Sequence, residues 1–107
     1  MILLAQVYRL AARLPTIERW GLASQLRRAS VSIPTNVAEG FGRQARKDFA
    51  RFVAMAEGSL RELQTLLDAV TLLEYMDAST LEETTGTSNR VGFLLGRLRR
   101  SLNRPRP

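Results

Sequence analysis

Apolar residues fall at Phe49, Phe52, Ala56, Leu60, Leu63, Leu67 and Val70, in steps of three and four. That is the period of one face of an α-helix. A β-strand cannot keep this set on one side, because its side chains change face at every residue. The spacing therefore predicts one helix from about Ala45 to Met76, which at ~1.5 Å per residue would span about 45 Å. Leu66, Leu72 and Leu73 lie outside the stripe. This helix is thus apolar on more than one side, as suits the centre of a bundle or a contact between subunits.

The same period runs through three other segments. Met1 to Leu14 carries Leu3, Val7, Leu10 and Leu14, and Pro15 marks its end. Glu18 to Phe41 carries Leu22, Leu26, Ala29, Ile33 and Val37, with Pro34 inside the pattern. The proline removes a backbone donor and clashes with the carbonyl of Ser30, which predicts a kink. The stripe stays in phase across it, so one bent helix is expected, closed by Gly40 and Gly42. Ser79-Thr-Leu-Glu82 reads as a capping box for the last segment. Leu81, Thr84, Ser88, Val91, Leu95, Leu98 and Leu102 follow at heptad spacing. Thr84 to Asn89, with Gly86 among them, are poor helix formers, so the first half of that helix should be weak. Strand signals are nearly absent, and no pair of segments repeats another. The expected fold is all-α: an antiparallel up-down four-helix bundle, kinked in its second helix and oligomeric. Residues 1–102 would form the bundle and 103–107 a basic flexible tail.

A chain of 107 residues supports one domain and a modest core. It has no cysteine and no histidine. Disulfides, thiolate zinc sites and the commonest metal ligand and general base are thereby removed. Glu82-Glu83 sits where acids favour a helix dipole, and the Gly-x-Gly within Glu39 to Arg43 has no strand or Lys-Ser/Thr beside it. No nucleophile–base pair is visible. The expectation is a non-enzyme with no cofactor, no metal and no evident small-molecule substrate. No apolar run is long enough for a bilayer, and the N-terminus lacks the basic start and cleavage site of a signal peptide. A cytoplasmic, non-membrane protein is expected.

Net charge is +6, and Lys47 is the only lysine among sixteen basic residues. A GC-rich coding sequence would favour arginine; so would contact with phosphate, which the guanidinium fork suits. The charge is in blocks: residues 1–47 carry +6, residues 48–83 carry −6 and residues 84–107 carry +6. Packing of the acidic block against the basic ones is the plain consequence. Arg97, Arg99 and Arg100 near a helix C-terminus suit the helix dipole. The dipole does not explain Arg104 and Arg106, in a proline-punctuated tail. With Arg43, Arg46 and Lys47 they form the candidate nucleic-acid-binding set. No aromatic lies in the terminal run, so readout would be of backbone phosphate.

A second constellation is polar. Gln25, Arg28, Ser32, Asn36 and Glu39 share one face of the second helix, beside its apolar stripe. Amides and hydroxyls at this spacing suggest a partly buried seam, which needs hydrogen-bond partners. Glu57 and Glu62 are candidates for Arg28, within or between subunits; an exposed polar face is the alternative.

Leu22 to Arg43, with its Ser-Ile-Pro-x-Asn-x-Ala-Glu-Gly core, closely resembles the signature of the bacterial four-helix-bundle family named for the 23S rRNA intervening-sequence protein. Phe49 to Leu63 and the Leu-Pro-x-x-Glu-Arg piece at Leu14 to Arg19 also match, and the likeness covers roughly residues 5 to 102. The matching positions include Gln25, Arg27, Arg28, Ser32, Pro34, Asn36, Glu39, Gly40, Arg43, Gly58, Ser59 and Glu62. The resemblance implies a ring-like homopentamer and no enzymatic activity. Some relatives are encoded within rRNA intervening sequences; others are accessory proteins of diversity-generating retroelements that bind reverse transcriptase and nucleic acid. The resemblance thus implies RNA or a reverse-transcriptase complex as partner, and a module that recruits only a protein is the alternative. Family members commonly have further residues ahead of this start, lengthening the first helix. The stretch Thr84 to Ser88 is less helix-friendly than the family pattern.

Overall fold

The long apolar stripe becomes one helix, Arg46–Leu72, with Phe52, Val53, Ala56, Leu60, Leu63, Leu67 and Val70 buried along it. The structure, a computed structural model, describes residues 2–105. In chain order the helices are α1 (Ile2–Ala12), α2 (Leu22–Phe41), α3 (Arg46–Leu72) and α4 (Ala78–Asn103), with a 3-10 turn at Thr16–Glu18. There is no strand among the described residues.

Each helix is antiparallel to the ones it touches. Ser32 meets Ser59 and Gly40 meets Phe52 across α2 and α3. Gln64 meets Ser88, and Arg46 meets Ser101, across α3 and α4. Gln6 of α1 bonds Glu83 of α4. α2 and α4 each pack against both α1 and α3, which occupy opposite corners. The core runs the length of this 52 × 24 × 19 Å bundle, and Val7, Leu26, Val53, Leu63 and Val70 are wholly enclosed.

The stripes agree with the sequence reading; several helix ends do not. The second helix begins at Leu22 instead of Glu18, because the Glu18 carboxylate accepts from the Leu22 N–H at 3.1 Å and caps it from outside. α2 then passes through Pro34 without interruption. The third helix stops at Leu72, short of Met76. There the Tyr75 N–H reaches the Val70 carbonyl and the Glu74 N–H the Thr71 carbonyl, a Schellman end with Glu74 left-handed at φ 62°. α4 is capped by Asp77, not by the Ser79 box. One Asp77 oxygen accepts from the Thr80 N–H at 2.9 Å and from the Ser79 and Thr80 hydroxyls at 2.8 Å. A carboxylate two residues earlier offers a stronger acceptor than the serine and meets the helix dipole. α4 is continuous through Gly86, and Thr84 and Ser88 face inward.

Gly40 also differs from expectation. It lies inside α2, is buried and has no left-handed φ. A Cβ there would stand 2.7 Å from Phe52 Cβ and 2.9 Å from Phe49 Cδ1. Close approach of α2 to α3 requires this glycine; helix termination does not.

The helices differ greatly in length: 11 residues in α1 against 26 and 27 in α4 and α3. α1 lies beside the start of α2 and stops level with Pro34 of α2 and Leu94 of α4. One end of the bundle therefore has four helices. At the other, only the C-terminal parts of α2 and α4 and the N-terminal part of α3 continue.

Candidate nucleic-acid interface

Most of the basic residues singled out in the sequence arrive at the three-helix end. Antiparallel packing brings the last turn of α2, the first turn of α3 and the last turns of α4 together. Arg43 leaves α2, Arg46, Lys47 and Arg51 project from α3, and Arg97, Arg99, Arg100 and Arg104 follow along α4 and its cap. Arg106 lies outside the described residues.

Local partners hold several of these groups. Arg99 Nε is 2.5 Å from Glu57 Oε1, and both side chains are half-buried or nearly so. Arg46 Nη2 donates to the Ser101 carbonyl at 2.7 Å, tying α3 to the end of α4. Arg43 pairs with Glu39 at 3.2 Å in an exposed one-turn contact, of small energetic weight. Its guanidinium also lies 4.9 Å from the Phe52 ring centre, and Arg51 lies 4.8 Å from the same ring. Arg97 stands 5.8 Å from the Phe93 ring centre. Lys47, Arg97, Arg100 and Arg104 are exposed and make no ion pair among the described residues. Arg46 and Arg99, in contrast, brace α3 against α4.

Sequence reasoning missed three members of this surface. Arg51 was absent from the basic set, although it is one turn from Lys47 on α3. Phe41 is 78% exposed and Phe93 is 63% exposed. Arg97 thus has an aromatic ring beside it, Phe93, which lies just ahead of the terminal run. The spacing of Phe93 and Arg97, one helical turn, was the available signal.

The polar seam divides. Ser32 and Asn36 are half-buried between α2 and α3; Gln25, Arg28 and Glu39 are exposed. Asn36 Nδ2 donates to the Ser32 carbonyl at 2.9 Å and to its hydroxyl at 3.1 Å. The Ser32 and Ser59 hydroxyls are 2.7 Å apart. Glu57, a candidate partner for Arg28, bonds Arg99 instead, and Glu62 is exposed. Only a cross-helix serine would have completed this network from sequence, and Ser59 carries no charge to betray it.

The four-helix end has different chemistry. Tyr75 Oη donates to Glu18 Oε2 at 2.7 Å. This bond, followed by that from the Leu22 N–H, lowers the Glu18 pKa, and the same carboxylate raises that of Tyr75. The hydroxyls of Ser79 and Thr80, with the Thr80 N–H, hold Asp77 down to a pKa of about 2. Gln6, Thr84 and Ser88 are buried in a polar layer of the core, where Gln64 bonds Ser88 at 3.3 Å. Among the described residues no cluster of three or more acids is placed to hold a metal ion. No helix among them is long and apolar enough to cross a membrane.

The fold has solved counterparts. One is the crystal structure of a protein of unknown function from the S23 ribosomal protein family of Bacteroides thetaiotaomicron VPI-5482. It superposes with a TM-score of 0.67 at 21% identity, over 87% of this chain and 94% of that one. This likeness concerns the fold. No curated protein matches the chain. The family model of the 23S rRNA-intervening sequence protein matches residues 1–97, from α1 through most of α4. The likeness of the motifs in α2 and α3 is thereby extended over nearly the whole bundle, and the chain belongs to the 23S rRNA-intervening sequence protein family.

Proposed function

We propose that this protein is a non-enzymatic, homopentameric scaffold in the cytoplasm that associates with structured RNA, ribosomal or part of a retroelement ribonucleoprotein, through its three-helix end. The observation that carries the reading is the convergence on that end of arginines from α3, α4 and the connection between α2 and α3. Lys47, Arg97, Arg100 and Arg104 are exposed there, and the exposed ring of Phe93 stands beside Arg97. Basic side chains neutralise phosphates and release counterions, so binding should weaken steeply with salt. Exposed rings add a face on which an unpaired base can stack. A chain without histidine or cysteine has little from which to build a catalytic centre. Assembly as a pentamer would repeat the basic end around an axis and multiply weak contacts.

The test is fluorescence anisotropy from low to high salt, on protein sized by light scattering. The probes are a structured rRNA fragment, a scrambled duplex and an acidic polymer. Preferential binding of the rRNA fragment is expected. Replacing Lys47, Arg97 and Arg100 with alanine should flatten the dependence of log K on log salt by roughly one unit per lost phosphate contact. Equal, weak binding to all three probes would overturn the reading in favour of a module that recruits a protein partner. A pull-down in high salt would then be the next step.

A further inference from the structure

The two sides of the four-helix end carry opposite charge. Through α1, the connection after it and α2 as far as Ala38, the charged residues are five arginines and Glu18. Glu18 is already engaged by Tyr75 and by the Leu22 N–H. From Glu62 to Glu83, across the α3–α4 connection, there are six acids and no base. α1 and α3 occupy opposite corners, so the outer α1–α2 side and the outer α3–α4 side face away from each other.

Each side also exposes apolar surface. On the first, Arg19 and Arg27 border a shallow cleft over Ala11, Ala12 and Ala23. Beside them stand Ile17, 86% exposed, and Trp20, 82% exposed, with the Arg19 guanidinium 5.3 Å from the indole ring centre. On the second, a groove of about 680 Å³ runs between α3 and α4 past Leu67, Leu72 and Leu81, and its charged lining residues are Asp68 and Glu82. Leu72 is 83% exposed. The Tyr75–Glu18 bond holds the α1–α2 and α3–α4 connections at one level of the bundle. We infer that the Ile17–Trp20 knob of one copy of this chain docks in the Asp68–Glu82 groove of a second copy, with Arg19 facing the two carboxylates. Charge complementarity selects the partner: the apolar knob is flanked by bases and the apolar groove is rimmed by acids. A partly exposed indole beside an arginine is also the kind of anchor that dominates protein contacts. Knob and groove are different surfaces, so the contact is head-to-tail; being level with each other, they suit a closed ring. The inference rests on the homo-oligomer reading and deepens it by naming the faces that meet; it requires no nucleic acid.

Trp20 is the only tryptophan, so its fluorescence reports on the contact directly. In concentrated parent protein its emission should be blue-shifted and shielded from acrylamide. On dilution it should move to the red as the light-scattering mass falls to that of one chain. Leu72→Arg should produce both changes without dilution and with helix content unchanged by circular dichroism, because Leu72 is already exposed. Trp20→Glu should also be monomeric. Titrated with a large excess of Trp20→Glu, which keeps the groove and has no tryptophan, Leu72→Arg should shift back to the blue. Asp68→Arg with Glu82→Arg should weaken assembly at least about tenfold, and adding Arg19→Glu should recover part of the loss. An assembled parent whose Trp20 stays open to acrylamide, or full oligomeric mass in both Leu72→Arg and Trp20→Glu, would overturn this contact and leave the homo-oligomer reading standing. So would the absence of a blue shift in the titration. A parent protein that is monomeric at every concentration would overturn both.

Discussion

The two ends of the bundle are built from the same helices but closed in different ways. At the four-helix end α1 covers the core, Leu26 is 1% exposed, and the connections are pinned by Glu18–Tyr75 and the Asp77 cap. At the three-helix end Val37, Leu98 and Leu102 are only half-buried, and the fastening is done by Arg46 and Arg99. Hydrophobic burial stabilises both, through Phe52 and Val53 at the second, where guanidinium contacts add a brace. A surface that must meet another molecule retains exposed apolar and charged groups, and these contribute less to the stability of the isolated subunit.

Core truncation gives the widest separation between the ends. Leu26→Ala should cost about 3 kcal/mol, since it empties an enclosed site, whereas Leu98→Ala should cost about 1 kcal/mol. Urea unfolding measures both. Equal costs would mean that something covers Leu98 in solution. Next in size is Gly40→Ala, which forces a methyl against Phe49 and Phe52 and should destabilise by about 2 kcal/mol. A neutral outcome in thermal melting would show that α2 and α3 separate easily there.

Titration probes the connections of the four-helix end. The folded pKa of Asp77 is depressed from 3.8 to about 2, so its contribution is complete above 3.8 and disappears as pH falls through about 2. Asp77→Ala should therefore lower the urea midpoint at neutral pH, and the gap from the parent should close over that acid window. Glu18, also depressed, acts in the same sense; Tyr75, raised above 10.0, contributes below that value and loses its contribution on alkaline titration. A constant gap at all pH values would remove charge from the account of this cap. The smallest effect is expected at Glu74, which holds a left-handed conformation that glycine adopts freely. Glu74→Gly should stabilise by about 0.5–1 kcal/mol in urea unfolding.

Much of this was legible from spacing. The stripes of α2, α3 and α4 were read correctly even across Pro34 and Gly86, because phase is preserved when local propensity falters. Helix ends were less legible. Glu18 and Asp77 act through two or three hydrogen bonds and Glu74 through one dihedral angle, signals shared with many solvent-exposed acids. Gly40 looked like a terminator because glycine commonly is one; its real constraint comes from Phe49 and Phe52 on another helix.

The basic set was visible as charge blocks, but its unity was not. That Arg43, Lys47 and Arg100 share an end follows from antiparallel packing of three helices. Arg99 chose Glu57 over solvent for the same reason: their proximity exists only once α3 and α4 are in register. Sequence by itself determined the helical class, the buried faces and the family, because period and motif are local properties of the chain. The tertiary structure alone decided which glycine is crowded and which arginines brace the helices, because each depends on residues far apart in sequence meeting in space.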